Sequence, residues 1–380
     1  ISTPWQASPP SDNLYDIRFD MSKKSFQQNP VQEEIVDIAN KIEQPGILIL
    51  EAPMGLGKTE AALACAEIFA EKTGASGLYF ALPTQATSDG LFPRIKEWIE
   101  HLNLDEEHTI RLAHGKAEFN DDYQSLRNNA SNNIDIYGES PLKIHAWFEG
   151  SKKSLLADFV VGTIDQVLMM ALKTKHVMLR HLGLANKILI IDECHAYDAY
   201  MSQYLFMALQ WLGAYEVPVI VLSATLPIAT REKCVHAYLK GMGVRDSDFQ
   251  VGEWQTRRNY PLITYTDNQE IQSTSAEIEE ERTTVTTKFM TAEDFLERLK
   301  ALSDLNGCIG IIVNTVKKAQ EIFKQCQEAF GQANCTLLHS RFTAIDRAEK
   351  ERRLFEALGP SGNSNGTRPK FKIIVGTQVL

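Results

Sequence analysis

The sequence is poor in cysteine and has no cysteine spacing typical of a disulfide framework or a zinc site. Its six cysteines are scattered, without a C-x-x-C pair: they are Cys65, Cys194, Cys234, Cys308, Cys326 and Cys335. Scattered cysteines of this kind are typical of a reducing compartment, so we expect a cytoplasmic protein.

Long hydrophobic runs are also missing. No apolar stretch approaches the roughly 20 residues that a membrane-spanning helix needs. The first residues show no charged region followed by an apolar core, the pattern of a secretory signal. Composition therefore gives no support to a membrane protein.

Basic residues are outnumbered: 39 Lys and Arg face 49 Asp and Glu, which gives a net charge of −10. Phosphate contacts favour basic surfaces, so this balance argues mildly against a general nucleic-acid binder. A protein that grips one strand in a groove needs only local donors and is not excluded. At 380 residues, 44% of them hydrophobic, the chain is long enough for two domains with ample cores.

The stretch at residues 48–63 is the strongest indication of function in the sequence. An apolar run at 47–50 predicts a buried strand and residues 60–70 predict a helix, while Gly55 and Gly57 between them let backbone N–H groups turn toward an anion. Lys58 supplies a positive charge for the β- and γ-phosphates of ATP, and the Thr59 hydroxyl suits Mg²⁺. The helix adds the positive end of its dipole. This stretch therefore predicts a phosphate-binding loop; the simpler alternative is a glycine-containing turn between a strand and a helix.

Ala52 stands where the general phosphate-loop pattern has glycine. The variant A-x-x-G-x-G-K-T is usual in helicases, so Ala52 at this position favours a helicase among the proteins that have a phosphate-binding loop. Ahead of the loop, Gln32 places an amide where it could read the adenine edge. The predicted nucleotide-binding residues are Gln32, Ala52, Pro53, Met54, Gly55, Leu56, Gly57, Lys58, Thr59 and Glu60.

Two adjacent carboxylates follow the apolar run 188–191, at the strand end where open α/β sheets bind ligands. Asp192 can hold Mg²⁺ through a water, and Glu193 can orient and deprotonate the water that attacks the γ-phosphate. Alone, D-E-x-H is a weak motif that an exposed acidic turn would explain. Together with the phosphate loop it predicts the catalytic residues Lys58, Asp192, Glu193 and His195, and the metal ligands Thr59 and Asp192.

A further strand is predicted to end in Ser223-Ala224-Thr225, beside His195. Hydroxyl groups at this point are suited to reporting the state of the γ-phosphate to a second domain. A Ser/Thr turn that closes the strand is the alternative interpretation.

Short apolar strands alternate with helical stretches, which predicts an α/β fold of parallel sheets covered by helices. Beyond those already given, strands are predicted at 77–82, 109–113, 159–162, 187–191, 217–222, 308–313, 335–338 and 371–376. Helices are predicted at 26–42, 91–102, 165–172, 292–303 and 316–329.

Composition divides the chain into a linker or arm over residues 1–21, a first domain over 22–256 and a second over 257–380. Residues 269–288, acidic and β-branched, predict either an edge hairpin or a solvated loop, and we favour the loop. Residues 120–140 read as a surface excursion and 359–369 as a flexible loop. Because the chain stops directly after an apolar strand, we expect the second domain to be incomplete at its C-terminus.

The order A-x-x-G-x-G-K-T, D-E-x-H, S-A-T resembles that of the superfamily 2 helicases. Connecting segments narrow the resemblance: Y-F-A-L-P-T-Q-A-T at 79–87, V-G-T-I-D-Q at 161–166, K-H-V-M-L-R at 175–180, D-E-C-H-A-Y-D at 192–198 and L-H-S-R-F at 338–342. On these segments the chain resembles the CRISPR-associated helicase–nucleases of type I interference systems, of the I-E branch, over about residues 26–380.

This resemblance implies tandem RecA-like domains with ATP in the cleft between them, 3′→5′ translocation along single-stranded DNA, and recruitment by an RNA-guided surveillance complex. It makes His195 the residue that couples the nucleotide site to the DNA, with a packed strand-end histidine as the alternative. Hydroxyl and amide donors suit backbone phosphates and grip without sequence readout. The DNA-binding residues that the resemblance implies are Thr84, Gln85, Thr87, Thr163, Gln166, Asn314, Thr315, His339, Ser340, Arg341 and Thr377.

Two features of the resembled family are missing from the sequence: the H-D metal cluster of its nuclease domain and the Q-R-x-G-R-x-x-R motif. That motif would supply arginine fingers, each worth on the order of 10³–10⁵ in rate. We therefore expect this chain to hydrolyse ATP poorly, and nuclease activity to belong to a domain outside it. A nucleotide-gated binding module and another superfamily 2 DNA or RNA helicase remain the alternative functions.

Overall fold

The structure is a computed structural model that describes residues 4–19, 28–102, 104, 108–113, 142–143, 153–173, 175–194, 197–278, 286–289, 291, 294–303, 307–359 and 369–377. The chain divides into two compact units, Ile1–Glu280 and Glu281–Leu380.

A nine-stranded sheet forms the centre of the first unit, in the order β4-β3-β5-β2-β6-β7-β1-β8-β9. Pairing is parallel from β4 to β1, whereas β8 and β9 are antiparallel. The strands are β1 (Pro45–Glu51), β2 (Leu78–Leu82), β3 (His108–Ala113), β4 (Leu142–Lys143), β5 (Phe159–Thr163), β6 (Ile188–Ile191), β7 (Val219–Ser223), β8 (Leu262–Asp267) and β9 (Glu270–Thr274).

Helices cover both faces of this sheet. Successive residues of β1 point to opposite faces of the sheet and are buried on both. Leu48 and Leu50 belong to one buried cluster, and Ile47 and Ile49 belong to another. Burial on both faces is the reason why these strands are continuously apolar. The helices of the first unit are α1 (Leu14–Arg18), α2 (Pro30–Lys41), α3 (Lys58–Thr73), α4 (Gln85–Glu100), α5 (Ile164–Leu168), α6 (Val177–Leu184), α7 (Ala199–Ala214), α8 (Ile228–Gly241) and α9 (Glu253–Thr256).

The second unit contains a three-stranded parallel sheet in the order β10-β12-β11, built from β10 (Gly307–Ile312), β11 (Cys335–Leu338) and β12 (Phe371–Gly376). Its helices are α10 (Phe295–Ser303), α11 (Val316–Phe330) and α12 (Ala344–Leu358). A small core forms around Leu299, Ala319, Leu337, Ile373 and Val375. The predicted class, parallel sheets covered by helices, is confirmed in both units.

Each predicted strand is present with ends shifted by no more than two residues. Helix starts were harder to predict. Helix α4 begins at Gln85, well before the predicted start at 91, because Thr84 and Thr87 form a capping box there. Helix α2 begins at Pro30, where Asn29 caps it. Residues 120–140 and most of 359–369 lie outside the described residues.

The favoured loop over 269–288 is wrong at its start, because residues 270–274 form β9, the edge-hairpin alternative. Its partner β8 pairs antiparallel with β1 and thereby extends the first sheet. Polar residues suit a solvated edge strand, and β-branched residues such as Ile271 favour extended backbone. In the structure the unit boundary consequently falls after residue 280, whereas composition placed it after 256.

The N-terminal residues, expected to be a linker or arm, pack on the first unit as far as they are described. Trp5 is 2% exposed, and the centroid of its ring lies 5.2 Å from the Phe159 ring centroid and 6.2 Å from the Trp98 ring centroid. Tyr15 is also buried and donates its hydroxyl to the Gln32 carbonyl. Residues 4–19 are thus part of the folded unit.

None of the described helices has the length and apolar character that crossing a bilayer requires. All six cysteines are free thiols, and five of them are buried.

Candidate functional site

The predicted phosphate loop joins β1 to α3 as expected. Gly55 and Gly57 have φ of +84° and +63°, in the left-handed region that glycine adopts at little cost. Helix α3 begins directly after Gly57, which has no side chain to cap it. The first N–H groups of the helix are therefore suited to an anion.

The Lys58 side chain folds back onto the loop. Its Nζ donates to the carbonyl oxygens of Ala52 at 2.8 Å and Pro53 at 3.2 Å. Burial lowers the pKa of Lys58, while the charges of Glu193 and Asp192 raise it. The lysine and the two predicted carboxylates therefore belong to one electrostatic site.

Asp192 and Glu193 follow the end of β6 in a tightly turned segment. The Asp192 backbone N–H donates to the Ala81 carbonyl at 2.9 Å, and its Oδ1 accepts from the Glu193 N–H at 2.8 Å. Tyr197 donates its hydroxyl to the Asp192 carbonyl at 3.2 Å. Glu193 has φ of +53°, a strained conformation for a residue with a side chain and one that clusters at functional sites. His195 lies outside the described residues.

The phosphate loop and the carboxylates line a single cavity of about 500 Å³, a volume typical of a small-molecule site. Eight predicted residues line it: Met54, Gly55, Gly57, Lys58, Thr59, Glu60, Asp192 and Glu193. Sequence reasoning missed its other residues, which are Arg18, Phe19, Leu63, Arg94, Glu97 and Trp98. Arg94 forms an ion pair with Glu60.

The missed residues come from two places. Arg94, Glu97 and Trp98 share one face of α4 at helical spacing, a signal available once that helix was assigned. Arg18 and Phe19 come from the N-terminal arm, where no periodicity indicated a role.

Gln32 lies behind the loop, fully buried at 0% exposure. Its Oε1 accepts from the Asn29 backbone N–H at 3.2 Å, as part of the capping box of α2. Its Nε2 donates to the Gly57 carbonyl at 3.4 Å. The side chain thereby joins the start of α2 to the phosphate loop.

The S-A-T segment lies beside the same loop. The Ala52 backbone N–H donates to the Ser223 carbonyl at 3.1 Å, which continues the parallel pairing of β1 with β7. Ser223 donates its hydroxyl to the Thr225 carbonyl at 2.9 Å and so closes the turn.

The predicted DNA-binding residues of the first unit follow β2 and β5, at the same carboxyl edge of the sheet. Thr84, Gln85 and Thr87 are exposed at the start of α4. Thr163 is 6% exposed, and Gln166 accepts from Arg180 through Oε1 at 2.9 Å. The structure therefore gathers these residues at the edge that also carries the cavity.

In the second unit, the predicted DNA-binding residues follow the carboxyl ends of its three strands. Asn314 and Thr315 are exposed after β10, and Thr315 caps α11. After β11, Ser340 and Arg341 are exposed, whereas His339 is 3% exposed.

His339 and Thr377 are held by internal contacts. The His339 ring stacks on Phe342 with a centroid distance of 4.3 Å, and its Nδ1 accepts from the Arg341 backbone N–H at 3.3 Å. Thr377, after β12, donates its N–H to the Leu338 carbonyl at 3.4 Å. These contacts fix the backbone that presents Ser340 and Arg341.

The residues around the cavity fit Mg²⁺ with a phosphate ligand. Thr59 and Asp192 bring a hydroxyl and a carboxylate to the same cavity, and oxygen ligands are those Mg²⁺ prefers. Among the described residues there is no group of three or more His, Cys, Asp or Glu that could hold a metal by itself. Few protein ligands, completed by phosphate and water, are the usual arrangement for Mg²⁺.

Family models match most of the chain. The model for DEAD/DEAH box helicases matches residues 29–234, and the model for the C-terminal part of the CRISPR-associated nuclease/helicase Cas3 matches residues 305–380.

Individual relatives agree with these models. The CRISPR-associated nuclease/helicase Cas3 of Streptococcus thermophilus is 46% identical over 369 residues, which are 97% of this chain and 39% of that protein. Among solved structures, T. fusca Cas3 with AMPPNP matches with a TM-score of 0.80 at 30% identity, over 99% of this chain and 42% of that one. A chain of a CRISPR RNA-guided surveillance complex in its pre-nicking state matches with a TM-score of 0.69 at 28% identity, over 94% of this chain and 39% of that one. The resemblance inferred from motifs is confirmed, and the chain corresponds to the helicase part of these relatives.

Proposed function

The chain belongs to the DEAD/DEAH box helicase family, and we propose that it is the ATP-driven motor of a type I CRISPR helicase–nuclease, moving 3′→5′ along single-stranded DNA. The observation that carries the proposal is the cavity in which Lys58, Asp192 and Glu193 meet the phosphate loop. The chain spans 39% of the length of its Streptococcus relative.

Four of the residues that line the cavity have roles that their positions support. Lys58 exchanges its two carbonyl partners for the β- and γ-phosphates of ATP. Thr59 and Asp192 hold Mg²⁺, which when bound neutralises charge on the transferred phosphoryl group. Glu193, turned by its left-handed backbone, orients and deprotonates the attacking water. The family resemblance assigns to His195, which lies outside the described residues, the coupling of this site to the DNA.

Exposed hydroxyl, amide and guanidinium donors at the strand ends bind the DNA backbone in our proposal. Thr84, Gln85 and Thr87 serve in the first unit, and Asn314 and Arg341 are among those in the second. Such donors contact phosphates without reading bases, as a motor that passes over any sequence requires.

Recruitment and location complete the proposal. The similarity to a chain of a surveillance complex supports an RNA-guided complex as the partner that delivers target DNA. Six free thiols suit a reducing cytoplasm. Nuclease activity would belong to a domain outside these 380 residues.

The test combines nucleotide binding with ATP turnover, each measured with and without single-stranded DNA. Lys58→Ala should abolish nucleotide binding, whereas Lys41→Ala, an exposed lysine on the neighbouring helix, should leave it unchanged. Unchanged ATP affinity in Lys58→Ala would show that the assigned site is wrong. Displacement of streptavidin from the 3′ or the 5′ end of DNA tests the direction of movement.

The rate of ATP hydrolysis distinguishes the proposed motor from the alternative functions. Because the sequence has no Q-R-x-G-R-x-x-R motif, we expect weak ATP hydrolysis by these 380 residues alone. We expect stronger hydrolysis in a longer protein that contains this chain together with the missing arginine motif, called the longer protein below. ATP binding that never leads to DNA-stimulated hydrolysis, even in the longer protein, would identify a nucleotide-gated binding module. Preferential stimulation by RNA would identify another superfamily 2 helicase.

A further inference from the structure

We infer that Tyr260 and the buried Glu51–Arg231 pair are positioning residues, which hold the S-A-T turn in a fixed relation to the phosphate loop. The inference rests on the proposed function, because it assigns these residues to communication between that loop and DNA. It concerns three side chains that the motifs do not include.

Glu51 is the last residue of β1 and directly precedes the phosphate loop. Its carboxylate accepts from the Arg231 guanidinium at 2.7 Å. Glu51 is 6% exposed and Arg231 is 2% exposed. This buried pair therefore connects the start of the loop to α8, the helix that begins just after the S-A-T turn.

Arg231 extends this connection to a third segment. Its second terminal nitrogen donates to the carbonyl oxygens of Trp254 at 3.2 Å and Arg257 at 3.0 Å. These carbonyls lie in the stretch between α8 and β8. A buried ion pair adds little net stability compared with apolar packing, but it specifies one arrangement of the segments it joins.

Tyr260 fixes the middle of the turn. Its hydroxyl donates to the Ala224 carbonyl at 2.6 Å. Two residues later Leu262 pairs with Glu51 in the sheet, so the position of Tyr260 is set by the strand that ends at the phosphate loop. The turn is thus held at Ser223 by Ala52 and at Ala224 by Tyr260, and the helix that follows it is held at Arg231 by Glu51.

The Tyr260 hydroxyl can be removed without disturbing the fold. Tyr260 is 42% exposed, so removal of its hydroxyl leaves the packing of its ring intact. A movement of the phosphate loop reaches Ser223 through the Ala52 hydrogen bond, and Tyr260 opposes any independent movement of Ala224. Loss of the hydroxyl should therefore loosen the turn while the nucleotide site stays intact.

The experiment compares Tyr260→Phe with Tyr265→Phe, a control whose hydroxyl donates to the Gln272 side chain in the β8–β9 hairpin. Amide hydrogen exchange over residues 223–226 should be about two to ten times faster in Tyr260→Phe, the factor expected for one lost hydrogen bond. Exchange over 52–60 and affinity for a non-hydrolysable ATP analogue should change less than twofold. Tyr265→Phe should match the wild type in both measurements.

A second readout addresses communication with DNA. In the longer protein, stimulation of ATP turnover by single-stranded DNA should fall at least threefold in Tyr260→Phe and stay unchanged in Tyr265→Phe. Wild-type exchange over 223–226 together with wild-type stimulation in Tyr260→Phe would overturn the inference. If the wild type binds nucleotide but DNA never stimulates it, the proposed motor function fails, and the exchange comparison alone still decides whether Tyr260 positions the turn.

Discussion

The guanidinium of Arg18 donates to both carboxylate oxygens of Glu67, at nitrogen–oxygen distances of 2.7 to 3.1 Å. Arg18 lies at the end of the N-terminal arm, and Glu67 lies on the helix that begins at the phosphate loop. The side chains are 4% and 1% exposed. Arg18 also lines the nucleotide cavity, so this buried pair ties the wall of the cavity to the helix that carries Lys58.

Glu67→Gln should destabilise the first unit by about 3 kcal/mol, because it leaves the Arg18 charge buried without a counter-ion. Urea unfolding of the two proteins measures the difference. Glu71→Gln, on the same helix but exposed, is the control and should change stability by less than about 0.5 kcal/mol. Equal effects of the two substitutions would show that the buried pair contributes nothing particular.

The position of the cavity could be predicted from sequence because each motif directly follows an apolar strand. Parallel strands bring their carboxyl ends to one edge, so Lys58, Asp192 and Ser223 had to lie near one another. Strand assignments were reliable for the same reason, since burial on both faces leaves continuous apolar runs.

The arm and the hairpin could not be predicted in this way. Trp5 and Tyr15 are buried by contacts with residues far along the chain, and no local period reveals such contacts. Edge strand β9 is mostly polar and partly solvated, so its composition does not distinguish it from a loop. The hydrogen bond from Gln32 to the Gly57 carbonyl could not be predicted either, because it depends on how closely α2 approaches the loop.

Gln32→Leu should weaken binding of ATP and GTP alike, by a factor of about two to ten. The expected loss follows from removal of the hydrogen bond that Gln32 donates to the Gly57 carbonyl. The same substitution also removes the bond that Gln32 accepts from the Asn29 N–H at the start of α2. Fluorescence titration with the two nucleotides measures the loss. A loss confined to ATP would instead support direct recognition of adenine by this side chain.

Glu193→Gly should be more stable than Glu193→Ala by about 1 kcal/mol, because glycine adopts a φ of +53° without the clash of a Cβ atom. Both substitutions should reduce ATP turnover at least about 10²-fold, since the proposed general base is gone. Urea unfolding and a phosphate-release assay provide the two measurements.

Glu216 offers a matched control for the gain in stability and the loss of turnover predicted for Glu193→Gly. It has φ of +54° at an exposed turn after α7, outside the nucleotide cavity. Glu216→Gly should exceed Glu216→Ala in stability by a similar amount while turnover stays at the wild-type level. Loss of turnover in Glu216→Gly would mean that the loss in Glu193→Gly is not specific to the nucleotide cavity.

Lys187 should make stability depend on pH in the alkaline range. It is 8% exposed near the start of β6, and burial lowers its pKa to about 8, while nearby Asp158 opposes the shift. Between pH 8 and the ordinary lysine pKa of about 10.4, the unfolded chain binds a proton that the folded chain has lost. Stability contributed by this group therefore increases as pH rises through that window.

Lys187→Met removes the titrating group while Asp158 keeps its hydrogen bonds from the backbone N–H and hydroxyl of Thr109, both 2.8 Å long. The stability of the wild type relative to Lys187→Met should rise by about 2–3 kcal/mol between pH 7.5 and pH 10. Urea unfolding at several pH values measures this difference, and Lys173→Met, at an exposed position, should show a constant difference over the same range. A constant difference in stability between the wild type and Lys187→Met over this range would mean that the Lys187 ammonium keeps its proton in the folded chain, because Asp158 offsets its burial.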